Sequence, residues 1–376
     1  MVKTTLYMGP QHPMLHGLWS FKIDIDGELI HDANVQLGYI HKGVEKIAET
    51  RSYDGFIPLA DRGICYASAF TWGAVYTGAV ERLFGIEDQV PERALWIRTL
   101  LCETQRIASH MFWLSAWIAD LGNWTGMMLG FRDREYFLDI LESVTGARLN
   151  YNYNRVGGVA RDLPEGLEKR AAEACDFLED YSFGQWHDLL DKSDVFLLRT
   201  KDVGIMSSEH AIRWGYTGAN LRASGVKTDV RKQDPYFKYA ECDFDIPVGK
   251  QGDCFDRYIV RMEEMKQSVK IIRQCLEKIK PGPVNYEGKM PKKPPFDEAF
   301  FRLDDPRGES SIYIINDPEK NKDHGLTANG HPYRLKIKSP AFVHMSSFPK
   351  LVTGGKVADI VSILGSIDLC TGETDR

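Results

Sequence analysis

From Trp19 onward apolar and polar residues alternate, with Trp19, Phe21, Ile23 and Ile25 on one side and Ser20, Lys22, Asp24 and Asp26 on the other, up to Asp26-Gly27. A period of two that ends on Asp-Gly predicts a half-buried strand entering a hairpin. A second alternating run, with Leu29, Ala33, Val35 and Leu37 on its apolar face, completes a small antiparallel sheet within residues 1–40. His12 and His16 fall on the loop that leads into it.

The period then lengthens. Helical spacing runs over 43–50 and 61–83, and Pro91-Glu92-Arg93 is a helix start, because a proline in the first turn gives up no hydrogen bond. No proline or glycine follows before Asp120. A helix of roughly 30 residues, about 45 Å long, suits the spine of a bundle. Further helices are predicted over 133–145, 165–191, 208–214 and 253–278. Pro281, Pro283, Pro291, Pro294 and Pro295 then stop regular structure, and the tail returns to strands at 312–315 and 333–337 before a closing helix near 357–364.

The fold class is therefore α+β and helix-dominated, with small antiparallel sheets near both termini. An N-terminal sheet region spans 1–50 and a helical core 51–280. A connector with C-terminal strands and a closing helix spans 281–376, packed as one domain with the core.

Composition narrows the function. With 43% apolar residues in 376, a substantial core is available, and the net charge of −6 lacks the basic excess of a nucleic-acid footprint. The first residues lack a signal-peptide core, and no run of about 18 uncharged apolar residues occurs, so the chain is expected inside the cell and not crossing a membrane. Seven cysteines, an odd number with no Cys-x-x-Cys pair, suit a reducing compartment. Gly157-Gly158 and Gly354-Gly355 are isolated pairs outside any strand-turn-helix phosphate cradle, so no nucleotide is expected on this chain.

Candidate chemistry is thin by itself. His12 and His16 flank Pro13 on a loop and read first as hydrogen-bonded loop histidines, with a proton-transfer role as the alternative. Arg62-Gly63-Ile64-Cys65-Tyr66 gathers a cation, a thiol and a phenol where a helix is expected to begin. Asp120 ends the apolar stretch Ala116-Trp117-Ile118-Ala119, where a carboxylate must reach water or find a cationic partner. Arg98, Glu103, Arg106 and His110 read as a polar network inside the bundle, and Arg132-Asp133-Arg134-Glu135 as salt-bridged surface or interface.

The order of motifs says more. Gly-Pro-Gln-His-Pro-Met-Leu-His-Gly at 9–17, Gly-Tyr-Ile-His-Lys-Gly-Val-Glu-Lys at 38–46 and Arg-Ile-Ala-Ser-His at 106–110 come first. Phe131-Arg132-Asp133-Arg134-Glu135, Thr145-Gly146-Ala147-Arg148, Arg155-Val156-Gly157-Gly158-Val159, Leu221-Arg222-Ala223-Ser224-Gly225 and Gly372-Glu373-Thr374-Asp375-Arg376 follow. Together they closely resemble the quinone-site (D-type) subunit of respiratory complex I along nearly the whole chain.

That resemblance implies a fold shared with the large subunit of nickel-iron hydrogenases. It implies partners: a B-like small iron–sulfur subunit, C-like and I-like peripheral subunits, and an H-like membrane subunit, with the chain on the cytoplasmic face of the membrane. Electrons would leave the partner's terminal [4Fe-4S] cluster and reduce a lipid-soluble acceptor, with F420 or NADH and flavin on other subunits and no cofactor or metal on this chain. Proton translocation would be coupled to that reduction by the membrane partners. His16, Tyr66 and Asp120 match the family's catalytic positions around the acceptor head group, with Met14, Leu15 and Cys65 beside it and Lys42, Arg62 and Asn150 toward the cluster.

Four departures stand out. The family's usual Arg-x-Asp-Tyr is one residue longer here, so Tyr66 or Cys65 takes the tyrosine position. Asn150 replaces a histidine near the cluster, and Lys42 replaces an arginine, exchanging a planar fork for a point charge. The segment between Lys278 and Arg307 is shorter, and Met14-Leu15 make the site loop more apolar. These departures favour the archaeal F420H2 dehydrogenase branch, with methanophenazine as acceptor, over an NADH–quinone oxidoreductase. A hydrogenase would need two Cys-x-x-Cys pairs, of which only Cys65 and Cys370 remain, with Arg62 and Glu373 at the partner spacing. A scaffold that binds the iron–sulfur subunit without touching substrate is the third reading.

Overall fold

The computed structural model describes residues 4–12, 15, 17–291, 293–323, 325 and 330–376. Three antiparallel strands, β1 (Thr4–Met8), β2 (Ser20–Asp26) and β3 (Leu29–Gln36), form the N-terminal sheet in sequence order. The alternation read from the sequence is the burial pattern of β2, since Phe21 and Ile23 are in the core and Lys22 is exposed. A register shift between Asp24 and Ile25 accommodates the hairpin at Gly27, where φ is 60°. The edge strand β1 carries no alternating run that would announce it.

Five helices follow: α1 (Val44–Glu49), α2 (Tyr53–Ile64), α3 (Ala69–Leu83), α4 (Glu92–Asp120) and α5 (Trp124–Thr145). The expected continuous helix over 61–83 is instead two helices. The chain leaves α2 at Cys65, which is extended at φ −142°, and re-enters helix at Ala69 after a short 3₁₀ turn. Gly63 weakens the end of α2, and Gln105 donates its side-chain amide to Ala67 O, giving the freed backbone a partner. The residues around Cys65 and Tyr66 therefore close a helix where the sequence suggested an opening.

The spine helix α4 runs 29 residues, about 43 Å. Pro91 is its N-cap and not its first residue, and the turn after Asp120 carries Gly122 at φ 89° and Asn123, which caps α5 by accepting from Gly126 N. The α5 helix packs back along α4, with Gly130 admitting Ser115, whose hydroxyl would overlap any Cβ there. On its other side α4 packs against the long helix Cys254–Lys278.

Surrounded on several sides, α4 buries polar residues as well as apolar ones. Arg98 is held bidentately by Glu81 at 2.6 and 2.8 Å. Glu103 meets Arg106 at 3.2 Å and Arg231 at 3.1 Å, while Asp304 bridges Arg106 at 3.0 Å and Arg222 at 3.2 Å. Arg222 reaches Glu264 at 2.6 Å, and Glu264 meets His110 at 3.1 Å. Burial alone would push the Glu103 carboxyl up, but Arg106 and Arg231 with the Ser268 and Tyr239 hydroxyls outweigh it and hold it at about 2. The expected network inside the bundle is thus a chain of compensated charges.

The reading of 132–135 as surface is corrected at Asp133. That carboxylate is fully buried and takes hydrogen bonds from Ser182 Oγ and Trp186 Nε1, which tie α5 to the 167–191 segment, a helix interrupted by π turns. At the C-terminal end, Glu298–Asp305, Gly308–Ile315 and Arg334–Lys338 make an antiparallel sheet in sequence order. The helices Pro340–Val352, Asp359–Ile367 and Thr371–Asp375 return the chain to α4 and the N-terminal sheet.

Candidate functional site

A cavity of about 370 Å³ opens where the loop before β2, the end of α2, the last turns of α4 and the C-terminal segment meet. Its walls are aromatic. Phe112, Trp113, Ala116 and Trp117 come from one stripe of α4, and Asp120 stands one turn further along the Phe112–Ala116 row. Trp113 and Trp117 stack with centroids 5.3 Å apart, each pinned by its indole N–H, to Gly365 O at 2.6 Å and Ser362 O at 3.0 Å. Tyr66 lines the cavity half-exposed, its ring edge-on to Phe112 at 6.1 Å.

The polar groups lie at one end. Arg307 sits on the Pro306–Gly308 turn of the C-terminal sheet, fully buried, donating to Asp368 Oδ1 at 3.1 Å and Ser109 Oγ at 3.2 Å. Burial would lower its pKa, but Asp368 and the Cys65 and Cys370 thiols raise it further, so the guanidinium keeps its charge. Lys42 donates from Nζ to Gly63 O at 3.0 Å and so caps the C-terminus of α2, where a cation is favoured by the helix dipole. Arg62 lines the cavity beside it.

Cys370 faces the cavity and Cys65 lies behind it. Burial, then the neighbouring thiol, pushes Cys65 well up, whereas the hydrogen bond from Cys65 lowers Cys370, making Cys370 the more acidic thiol. Burial and the two thiols also push the Tyr66 phenol up, so it stays protonated at neutral pH and can donate.

The expected site residues divide as follows. Tyr66, Lys42 and Arg62 meet in the cavity wall, with Cys65 directly behind Cys370 and Asp120 at the end of the α4 stripe. Met14 and His16 lie outside the described residues, although their neighbours Gly17, Leu18 and Trp19 form part of the wall. Leu15 points into the core and does not line the cavity. Asn150 lies apart from it, in a left-handed conformation at φ 57°, on a loop tied to α2 by the Asn152 amide donating to Asp61.

Arg307, Asp368, Trp113 and Trp117 join the site from the structure alone. The tryptophans carry helical spacing common to any core. Arg307 follows Pro306 in a turn, and such a position gives no sign of burial. A nickel-iron centre does not fit this geometry, because Cys65 and Cys370 bring two thiols together with Glu373, and Arg62 supplies no ligand.

Comparison with known proteins places the arrangement. The family described as "Respiratory-chain NADH dehydrogenase, 49 Kd subunit" matches residues 120–295 and 287–376. The D-type subunit of the NADH-quinone oxidoreductase of Carboxydothermus hydrogenoformans is 42% identical over 380 residues, covering 100% of both chains. The second D-type subunit of the NADH-quinone oxidoreductase of Symbiobacterium thermophilum is 43% identical, covering 98% of this chain and 97% of its own. A chain of the membrane-bound sulfane sulfur reductase, an archaeal respiratory membrane complex, superposes with a TM-score of 0.92 at 34% identity, over 100% of this chain and 98% of its own.

The fold and site define a subunit of a multi-subunit respiratory oxidoreductase. The chain belongs to the 49 kDa, D-type family of complex I-type subunits. It is a peripheral subunit of a membrane respiratory complex, and among the described residues no helix is long and apolar enough to cross a membrane.

Proposed function

We propose that the cavity receives the head group of a lipid-soluble acceptor and that this chain is the acceptor-site subunit of an F420H2 dehydrogenase, with methanophenazine as acceptor. The single observation that carries the reading is the aromatic cavity itself, flat-walled by Trp113, Trp117 and Phe112, with the Tyr66 hydroxyl on one side and Arg307 with Asp368 at its polar end. Such a shape suits a planar ring with polar heteroatoms.

The chemistry is proton-coupled electron transfer. A [4Fe-4S] cluster held by a small iron–sulfur partner subunit would supply the electrons, and this chain's part is to deliver two protons to the ring heteroatoms. Tyr66 donates one. His16 donates the other, and Asp120 stabilises its imidazolium form. This chain holds no cofactor of its own; F420 or NADH and flavin belong to other subunits. The partners are B-like, C-like and I-like peripheral subunits and an H-like membrane subunit, and the complex faces the cytoplasm. The archaeal respiratory membrane complex among the structural relatives supports a place for this chain in a complex of that kind.

The runner-up, an NADH–quinone oxidoreductase, is favoured by the names of the sequence relatives. A purified-complex assay decides between them: the F420H2 branch predicts acceptor reduction with reduced F420 and none with NADH, and activity with NADH alone overturns it. Tyr66→Phe and Asp120→Asn test the site itself. Each should lower acceptor reduction in an assembled complex by about 10²-fold or more; unchanged rates in both favour a scaffold role.

A further inference from the structure

We propose that Cys65, Cys370 and Glu373 form a binding site for a divalent thiophilic cation of the Zn²⁺ class, set in the wall of the cavity and distinct from the acceptor's place within it. The two Sγ atoms and a carboxylate oxygen of Glu373 all lie within 4.8 Å of one another, and the three residues are 1%, 7% and 0% exposed. They come from distant parts of the chain: Cys65 caps the end of α2, and Cys370 and Glu373 flank the start of the last helix.

Glu373 carries an independent sign of a ligand. Its Oε1 accepts from Ser339 Oγ and Ala341 N, each at 3.0 Å, so the carboxylate is fixed in place. Its Oε2 is buried and receives no hydrogen bond. Leaving a buried carboxylate oxygen unpaired costs on the order of 1–3 kcal/mol or more, and side chains so placed ordinarily answer to something. A cation between Oε2 and the two sulfurs answers to it.

The donor set selects the ion. Two sulfur ligands are soft and favour the zinc class over magnesium or calcium. At bond lengths of about 2.3 Å to sulfur and 2.0–2.2 Å to oxygen, tetrahedral coordination needs ligand atoms roughly 3.5–3.8 Å apart. From a spacing of at most 4.8 Å, the atoms close to that by about 1.0–1.3 Å at most. Cys370 opens onto the cavity, which gives an entry path and room for a water in the fourth position. Binding releases to solvent both thiol protons and the proton that burial, Cys65 and Asp305 keep on the Glu373 carboxyl, and no electrons move. Two thiolates and a carboxylate against a dication leave one negative charge, which Arg307 faces.

The test uses the purified complex, dialysed against a chelator and then against Zn²⁺, with zinc counted per copy by elemental mass spectrometry. The intact complex should take up one more zinc than Cys65→Ser or Cys370→Ser, Glu373→Gln should weaken uptake at least tenfold, and Cys102→Ser, a buried cysteine outside the cluster, should match the parent. Zinc should also slow alkylation of Cys370 by iodoacetamide in the unmodified complex, a readout that needs no variant to assemble. Equal zinc in the parent and both cysteine variants overturns the proposal, as does alkylation indifferent to zinc or recovery of nickel at these residues. None of these readouts involves acceptor reduction, so their failure leaves the acceptor reading standing.

Discussion

Gly365 lies against the indole of Trp117 so closely that any Cβ at that position would overlap Trp117 Cδ1 and crowd Nε1. The same backbone accepts from Trp113 Nε1 at 2.6 Å. Helix Asp359–Ile367 therefore sets both tryptophans that wall the cavity, and the fit is steric as well as hydrogen-bonded.

Replacing Gly365 with alanine should push Trp117 off its rotamer and cost about 1–3 kcal/mol of stability, the usual range for overpacking. Because the displaced ring has the cavity on one side, KM for the acceptor should rise more than kcat falls. Thermal unfolding together with acceptor titration of the assembled complex checks this; an unchanged KM would show that the tryptophan wall does not contact the acceptor.

The Arg98–Glu81 pair predicts a sharp asymmetry. Both side chains are buried, and Glu81 also accepts from Gly157 N at 2.7 Å while Arg98 donates to Arg155 O and Gly158 O. Either Glu81→Leu or Arg98→Met alone strands a charge and should destabilise by about 3–5 kcal/mol, whereas the double variant should recover much of that loss. A double-mutant cycle on unfolding free energy measures the coupling, and purely additive losses would contradict it.

What the sequence disclosed follows from how local each feature is. The β2 alternation and the unbroken α4 are legible because burial on one face and the absence of helix breakers leave marks within a few residues. The gap at Cys65 is not, since it is stabilised by Gln105 reaching Ala67 from another helix. Strand Glu298–Asp305 is masked by the neighbouring proline-rich connector, and helix Pro340–Val352 by Pro349 inside it, which reads as a breaker, although Ser339-Pro340 is a good start signal. At the site, Tyr66 and Asp120 came from the resemblance. Arg307 stays hidden because its partners, Asp368 and Ser109, are distant in sequence.

His344 gives a pH prediction with a definite sign. It is fully buried, stacked on Tyr216 at 4.5 Å, and its Nε2 accepts from Thr217 N at 3.3 Å. Burial, then Arg261 and Lys338, lowers its pKa to about 3. The unfolded chain, with histidine near 6.5, therefore binds more protons than the folded one between pH 3 and 6.5, so stability falls as pH drops through that window, by roughly 2 kcal/mol at pH 5. His344→Gln should flatten that part of the curve, read as unfolding midpoints from pH 7 to 5; a slope equal to the parent's would assign the acid sensitivity elsewhere.

Asn150 supports a prediction about the iron–sulfur cluster proposed above for the partner subunit. In relatives of this kind a histidine is expected at its place, and the resemblance puts the position toward the cluster. A titrating imidazole couples reduction to protonation, because adding an electron favours the protonated ring; the potential then falls as pH rises, toward a limit of about 59 mV per pH unit for one electron and one proton. An amide cannot do this, so the cluster in the native complex should show a nearly flat potential. Asn150 sits at φ 57°, a left-handed conformation that histidine tolerates better than most residues, which makes Asn150→His a mild substitution for the backbone. Redox titration of the cluster at pH 6, 7 and 8, followed by electron paramagnetic resonance, should show a slope appearing in the variant alone. A slope already present in the parent would place the coupled proton on another group, and none in either protein would separate Asn150 from the cluster.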